Sequence, residues 1–204
     1  DLQVVANHDP QLRGYDVDFG STPVLLQRSG CPAQLLVENK AGKLLLYDRD
    51  AIAGGYRQAI TIADTLDWHL SGEPAYAAVG PTVFVANTSD SRDGQYRHGL
   101  LAFQLLGDCT LQLLWQQTVG FNYTTMLPPV VANGVVYFGT GPRGKLYAFD
   151  ARTGFQLWES GTWIDGIFAM LSHVPDAMNE PGTAENVLSS VNACTEGHAA
   201  SRTR

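Results

Sequence analysis

The sequence predicts an all-β protein, a partial β-propeller of about three four-stranded antiparallel blades. Three observations carry that expectation. Apolar residues alternate with period two in short runs, and no long segment holds a 3.6-residue apolar stripe. Gly, Pro and Asn punctuate the runs where tight turns are needed. A block of four such runs then recurs along the chain, which marks a repeat architecture.

The clearest block spans 127–158. PPVVA (128–132) reads as one strand, Asn133-Gly134 as a two-residue hairpin turn and VVYFGT (135–140) as the next strand. Pro142-Arg143-Gly144 turns the chain into KLYAFD (145–150). Ala151-Arg152-Thr153-Gly154 then leads into FQLWES (155–160), with Gly154 suited to a positive φ.

Two upstream blocks follow the same grammar. In the first, STPVLLQ (21–27), QLLVEN (34–39), KLLLYD (43–48) and YRQAITIA (56–63) take the four places. In the second they fall to EPAYAAV (73–79), TVFVANT (82–88), LLAFQLL (100–106) and LQLLWQQTVG (111–120). Pro23, Pro74 and Pro129 open the first strands, Gly42, Gly99 and Gly144 precede the third, and Trp115 and Trp158 close the fourth. The expected blades cover 15–63, 68–120 and 122–162, with the start of a fourth at 163–171. Residues 172–204 lack alternation and large apolar side chains and are expected to form an irregular, disordered tail. Whole propellers typically have about 4 to 8 blades. The remaining blades are expected outside this chain or from assembly with other chains, as in a C-terminal fragment.

Composition excludes several function classes. With 45% hydrophobic and 16% charged residues, the 204-residue chain can bury a core. The 13 Lys and Arg against 20 Asp and Glu give a net charge of -7, which argues against nucleic acid as a partner. No stretch approaches the roughly 20 apolar residues of a membrane helix. Walker, GxSxG and kinase signatures are lacking. His8, His69, His98, His173 and His198 lack the close spacing of paired zinc ligands. Asp90, Asp93 and His98 offer ligand- or ion-binding groups, but they sit in a Ser/Asp/Gly-rich loop, a composition more often simply solvated.

The run VVANGVVYFGTGPRGKLYAFDARTGFQLWES resembles the repeat of quinoprotein-type propellers, the pyrroloquinoline quinone (PQQ) repeat, with Asp150, Thr153-Gly154 and Trp158 in register. That resemblance implies that Trp115 and Trp158 pack between neighbouring blades, a role suited to a large apolar ring with one N–H donor. A second likeness lies in YDVDFG (15–20) ahead of Pro23, similar to the W-D-x-D segment of PQQ-dependent alcohol and sugar dehydrogenases. It implies Asp16 as the catalytic base and Asp18 as a metal-site carboxylate, with PQQ and Ca²⁺ as cofactors. Lys40, in Asn39-Lys40-Ala41-Gly42, matches the lysine that contacts the quinone. In this sequence Tyr15 stands where the family has Trp, and four extra residues separate His8-Asp9 from Asp16.

Blade topology places the loop entering the first strand and the loop between the second and third strands at the same end, so Asp16 and Lys40 are expected to share a face. Asp as a capping acid for loop N–H groups, and Lys40 as a solvated turn residue, remain the alternatives. Cys31 and Cys109 fall in turns at the opposite end of adjacent blades. They are expected either to form a disulfide, as suits a periplasmic or extracellular protein, or to remain two free thiols. Two functions stay open: a PQQ-dependent oxidoreductase acting on CH–OH groups of an alcohol or sugar, and a non-catalytic propeller scaffold for protein–protein interaction of the outer-membrane assembly factor type.

Overall fold

The computed structural model describes residues 3–12, 17–64, 73–78, 80–122, 125–141 and 144–161. The chain divides into two units, Asp1–Leu171 and Ser172–Arg204, and every described residue lies in the first. The expected fourth-blade start at 163–171 and the tail at 172–204 lie outside the described residues, as does Asp16.

Among the described residues, twelve strands form three separate four-stranded antiparallel sheets, each a simple meander in chain order. Blade 1 holds β1 (Val24–Leu26), β2 (Gln34–Asn39), β3 (Lys43–Asp48) and β4 (Gln58–Thr61). Blade 2 holds β5 (Ala75–Ala77), β6 (Thr82–Asn87), β7 (Gly99–Leu105) and β8 (Leu111–Gln117). Blade 3 holds β9 (Val130–Ala132), β10 (Val135–Gly139), β11 (Leu146–Asp150) and β12 (Gln156–Glu159). Pro23, Pro74 and Pro129 each stand immediately before an innermost strand, where the missing N–H interrupts no ladder. Asn133 and Gly134 have φ of 51° and 77°, the two positive values of a type I′ hairpin.

The innermost strands lie side by side, β1 against β5 and β5 against β9. Each sheet therefore radiates from a shared inner edge, and the described residues of the first unit form an arc of β-propeller. Blade 2 is buried on both faces, which explains its nearly unbroken apolar strands. Val83, Val85, Leu101, Phe103 and Leu105 pack against Leu26, Leu36, Leu44 and Leu46 of blade 1. Phe84, Ala86, Leu100 and Ala102 point the other way, onto Val136, Phe138, Tyr147 and Phe149 of blade 3.

Polar ties cross each seam on the outer strands. In blade 1, Gln58 donates through Nε2 to the Leu111 carbonyl (3.0 Å) and accepts from the Leu111 N–H through Oε1 (2.7 Å). Blade 2 carries Trp115 in the corresponding register. Its Nε1–H donates to the Ala151 carbonyl (3.1 Å), while Gln117 Nε2 donates to the Gly154 carbonyl (2.8 Å). A Cβ on Gly154 would lie 2.7 Å from the Trp115 ring, and Gly154 has φ of 72°, so this close approach needs glycine. The predicted interblade packing of Trp115 therefore has a defined counterpart, the β11–β12 turn.

Three features were not expected. Two short 3-10 turns joined by a kink at Ala51, over Arg49–Gly54, stand in place of a short β3–β4 turn in blade 1. Register shifts between Ala102 and Phe103 and between Ala148 and Phe149 leave Leu114 and Leu157 as extra residues, each just before a tryptophan. Both leucines are exposed. These bulges interrupt the outer edges of the blade 2 and blade 3 sheets and blunt their capacity to pair with another strand. Finally, Gly99 is the first residue of β7 rather than its lead-in. Among the described residues no helix is long and apolar enough to cross a membrane.

The β11–β12 turn is stapled by Asp150, whose Oδ1 accepts from the backbone N–H groups of Arg152 and Thr153 and from the Thr153 hydroxyl. Those bonds, led by the Thr153 hydroxyl, hold the Asp150 carboxyl below its ordinary range. Asp108 is lowered in the same way by Thr110, and Asp48 chiefly by the Arg57 guanidinium at 2.6 and 2.8 Å. Because the folded values are depressed, the unfolded chain binds more protons in acid. The stabilisation is fully present above the ordinary aspartate value of about 4 and is lost as pH falls through the folded values. Thermal melts should show Tm falling steadily below about pH 4, with a shallower slope in Asp150→Asn.

Candidate functional site

One end of the arc carries the described parts of the loops entering β1, β5 and β9 and of the β2–β3, β6–β7 and β10–β11 connections. Tight local chemistry shapes the first of these corners. The Asn39 side-chain oxygen accepts from the Lys43 N–H (3.2 Å), and the Gly42 carbonyl accepts from the Ile62 N–H (2.8 Å). Gly42 has φ of 67°, and a Cβ there would sit 2.9 Å from the Ala63 carbonyl oxygen. The corner presents Lys40 toward the loop that enters β1.

Lys40 and Asp18 meet there. Lys40 Nζ lies 2.9 Å from Asp18 Oδ1, and the Lys40 N–H donates to the Asp18 carbonyl (3.0 Å). The Asp18 carboxylate is well exposed, with a relative side-chain accessibility of 62%, so the pair is a surface ion pair contributing about 0–1 kcal/mol. Asp18→Asn and Lys40→Ala should each lower the unfolding free energy read from urea denaturation by no more than that, leaving folded variants for functional assays. Asp16 lies outside the described residues. His8 is placed away from this corner, against Tyr47, Tyr56 and Gly55 on blade 1.

The β6–β7 loop is more structured than its composition suggests. Asp90 Oδ1 accepts from the His98 backbone N–H and faces His98 Nδ1, each at 2.8 Å, while Arg97 reaches Asp90 Oδ2 at 3.1 Å. Partial burial pushes the Asp90 carboxyl up, but the His98 hydrogen bonds and the charges of His98 and Arg97 outweigh that and leave it lowered. Asp93 accepts from the Ser91 hydroxyl (2.6 Å) and the Gln95 N–H (3.0 Å). The loop also ties its neighbours together. The Asp64 N–H donates to the Asp90 carbonyl, Arg92 pairs with Asp64 at 3.3 Å, and the Asp90 N–H donates to Asn122 Oδ1 at 3.0 Å.

Residues at this end that the sequence did not single out include Asp64, Arg92, Arg97 and Asn122, together with Phe19 and Phe121, which are 45% and 67% exposed. An exposed phenylalanine following Asp18 or Gly120 carries no signal in a single sequence. Among the described residues no group of three or more His, Cys, Asp or Glu converges as a metal site.

At the opposite end, Cys31 in the β1–β2 turn and Cys109 in the β7–β8 turn are joined as a disulfide with Cα atoms 5.5 Å apart. Gln34 Nε2 donates to the Cys109 carbonyl (2.9 Å) beside it, and Arg28 bonds the Leu105 carbonyl. Trp158 lies in β12 opposite Ala148, in the register that Trp115 holds opposite Ala102.

No family model and no curated protein sequence matches the chain. Among solved structures, the crystal structure of BamB from Moraxella catarrhalis aligns over 68% of this chain and 35% of that one, at 18% identity and a TM-score of 0.46. The Myceliophteria thermophila Cps50 (Swd1) β-propeller domain aligns over 62% of this chain and 38% of that one, at 14% identity and a TM-score of 0.46. This chain therefore spans little more than a third of either neighbour. The propeller assignment stands on the meander order, the shared inner edge and the blade seams.

Proposed function

We propose that the chain is part of a non-catalytic propeller scaffold whose loop face binds another protein. The observation that carries this reading is the state of that face. Charged groups there are engaged in the ion pairs Asp18–Lys40, Asp64–Arg92 and Asp90–Arg97, the last two tied by the Asp64 N–H to the Asp90 carbonyl, while Phe19 and Phe121 stand exposed on the same face. Aromatic side chains on a rigid, polar-rimmed surface are the usual anchors of a protein interface. A photoreactive side chain replacing Phe121 in the full-length protein should capture one discrete protein, whereas the same group at Asp108, on the opposite end, should not. Equal labelling from both positions would contradict the reading. The Cys31–Cys109 disulfide supports a periplasmic or extracellular setting for such a scaffold.

The adjacency of Lys40 and Asp18 supports a second reading, a PQQ-dependent dehydrogenase of alcohols or sugars. In it Lys40 would hold the quinone oxygens, Asp18 would join a Ca²⁺ site, and Asp16 would take the hydroxyl proton. The bound quinone would supply the hydride acceptor. A cation on Asp18 would compete with the Lys40 ammonium for the same oxygen. Saturable PQQ binding by the full-length protein with Ca²⁺, abolished in Lys40→Ala, would favour this reading over the scaffold.

A further inference from the structure

The blade 1 face turned away from blade 2 carries Val37, Leu45 and Tyr47, all buried. Part of the cover comes from the 3-10 segment through Ile52, and part from the chain ahead of β1. His8 packs edge-on against Tyr47 and Tyr56, with ring centroids 5.6 and 6.0 Å away, and its Nδ1 lies 3.1 Å from the Tyr47 hydroxyl. A Cβ on Gly55, in the β3–β4 connection, would lie 3.3 Å from the His8 ring.

That arrangement repeats the other seams. Trp115 of β8 sits on Gly154 in the β11–β12 turn, and Gln58 of β4 bonds Leu111 where the β7–β8 turn ends. In each case a fourth-strand residue meets the β3–β4-type connection of the following blade. Spacing agrees independently. Val24 opens β1 sixteen positions after His8, Ala75 opens β5 seventeen after Gln58, and Val130 opens β9 fifteen after Trp115. Asp9 then accepts from the Gln11 N–H with Gln11 at φ of 53°, a local turn that ends the extended stretch.

We propose that residues 3–8 are the fourth strand of a further blade, and that the surface they form with β1 and β2 receives the other three strands of that blade. The apolar surface left on this side fits such an occupant. Val4 and Val5 are 86% and 95% exposed on the extended segment, and Leu25 is 61% exposed on β1, with Leu35 partly covered beside it. A second copy of this chain does not fit. Its blade 3 already has four strands, and its outer strand would need the place that His8 and its neighbours occupy. The twelve described strands already fill three sheets, and the sequence of 162–204 offers at most one alternating apolar run, so the occupant is a three-stranded antiparallel sheet from polypeptide outside these 204 residues, whose third strand pairs with residues 3–8.

The test uses the full-length protein in its native cells, with Val5 replaced by a photoreactive phenylalanine analogue and the adduct mapped by mass spectrometry. The expected adduct joins position 5 to a strand outside residues 1–204, and the backbone amides of residues 3–8 exchange about 100-fold or more slowly than those of an unstructured chain. An adduct within residues 1–204 would overturn the proposal. So would an adduct to a second, isotopically distinct copy, or amides that exchange at unstructured rates.

Discussion

Trp115→Ala lowers the unfolding free energy by about 3 kcal/mol, toward the low end for a large aromatic because the ring is only partly buried. Two losses add. The ring contacts Phe84 on its own blade, with centroids 5.8 Å apart, and covers Gly154 of the next. Its indole N–H also leaves the Ala151 carbonyl without that donor. Urea unfolding of the variant measures the loss directly. Gly154→Ala supplies a companion result, because its cost has two sources: an alanine at φ of 72° and a methyl 2.7 Å from the ring. Only the second depends on Trp115. The double variant should therefore be less destabilised than the sum of the singles, whereas strict additivity would mean the ring does not cover Gly154.

The paired replacement of Cys31 and Cys109 by serine has an effect of similar size. A cross-link between residues 78 apart in sequence restricts the unfolded chain, and loop-closure entropy of that length is worth about 4.5 kcal/mol. The native side contributes as well. Cys109 holds φ of 68° in the β7–β8 turn, and its carbonyl is the acceptor for buried Gln34. Loosening that turn weakens the blade 1–2 seam beyond the covalent bond itself. Under oxidising conditions the variant should unfold at distinctly lower urea than the parent, and thiol titration of the unfolded parent should find neither Cys31 nor Cys109 free. Two free thiols from these positions would contradict the disulfide.

Strand positions were legible because alternation and turn chemistry coincide at the same points, as at Asn133-Gly134 and around Asp150. The bulges at Leu114 and Leu157 were not, since an extra leucine in LQLLW or FQLW leaves the run equally apolar while reversing the faces that follow. Gln58 carries no seam signal in the sequence, because the repeat it resembles marks that position with tryptophan. A glutamine does the same work there through two hydrogen bonds to one backbone residue. The 3-10 segment at Arg49–Gly54 carries no strong periodic signal in six residues. At the loop face, topology alone brought Lys40 to the same corner as the acidic loop entering β1. The Asp90–His98 pairing was invisible because a Ser/Asp/Gly-rich composition does not reveal which side chains turn inward.

The most direct test of the arc of packed blades is nuclear magnetic resonance at the blade 2–3 seam. If Trp115 of β8 lies over the β11–β12 turn, its indole protons should show nuclear Overhauser contacts to a Gly154 Hα. That Hα should also resonate well upfield of its unstructured value because the ring current acts on it. An unshifted Gly154 Hα with no contact to Trp115 would mean that blades 2 and 3 do not pack as neighbours, and the propeller assignment would fail.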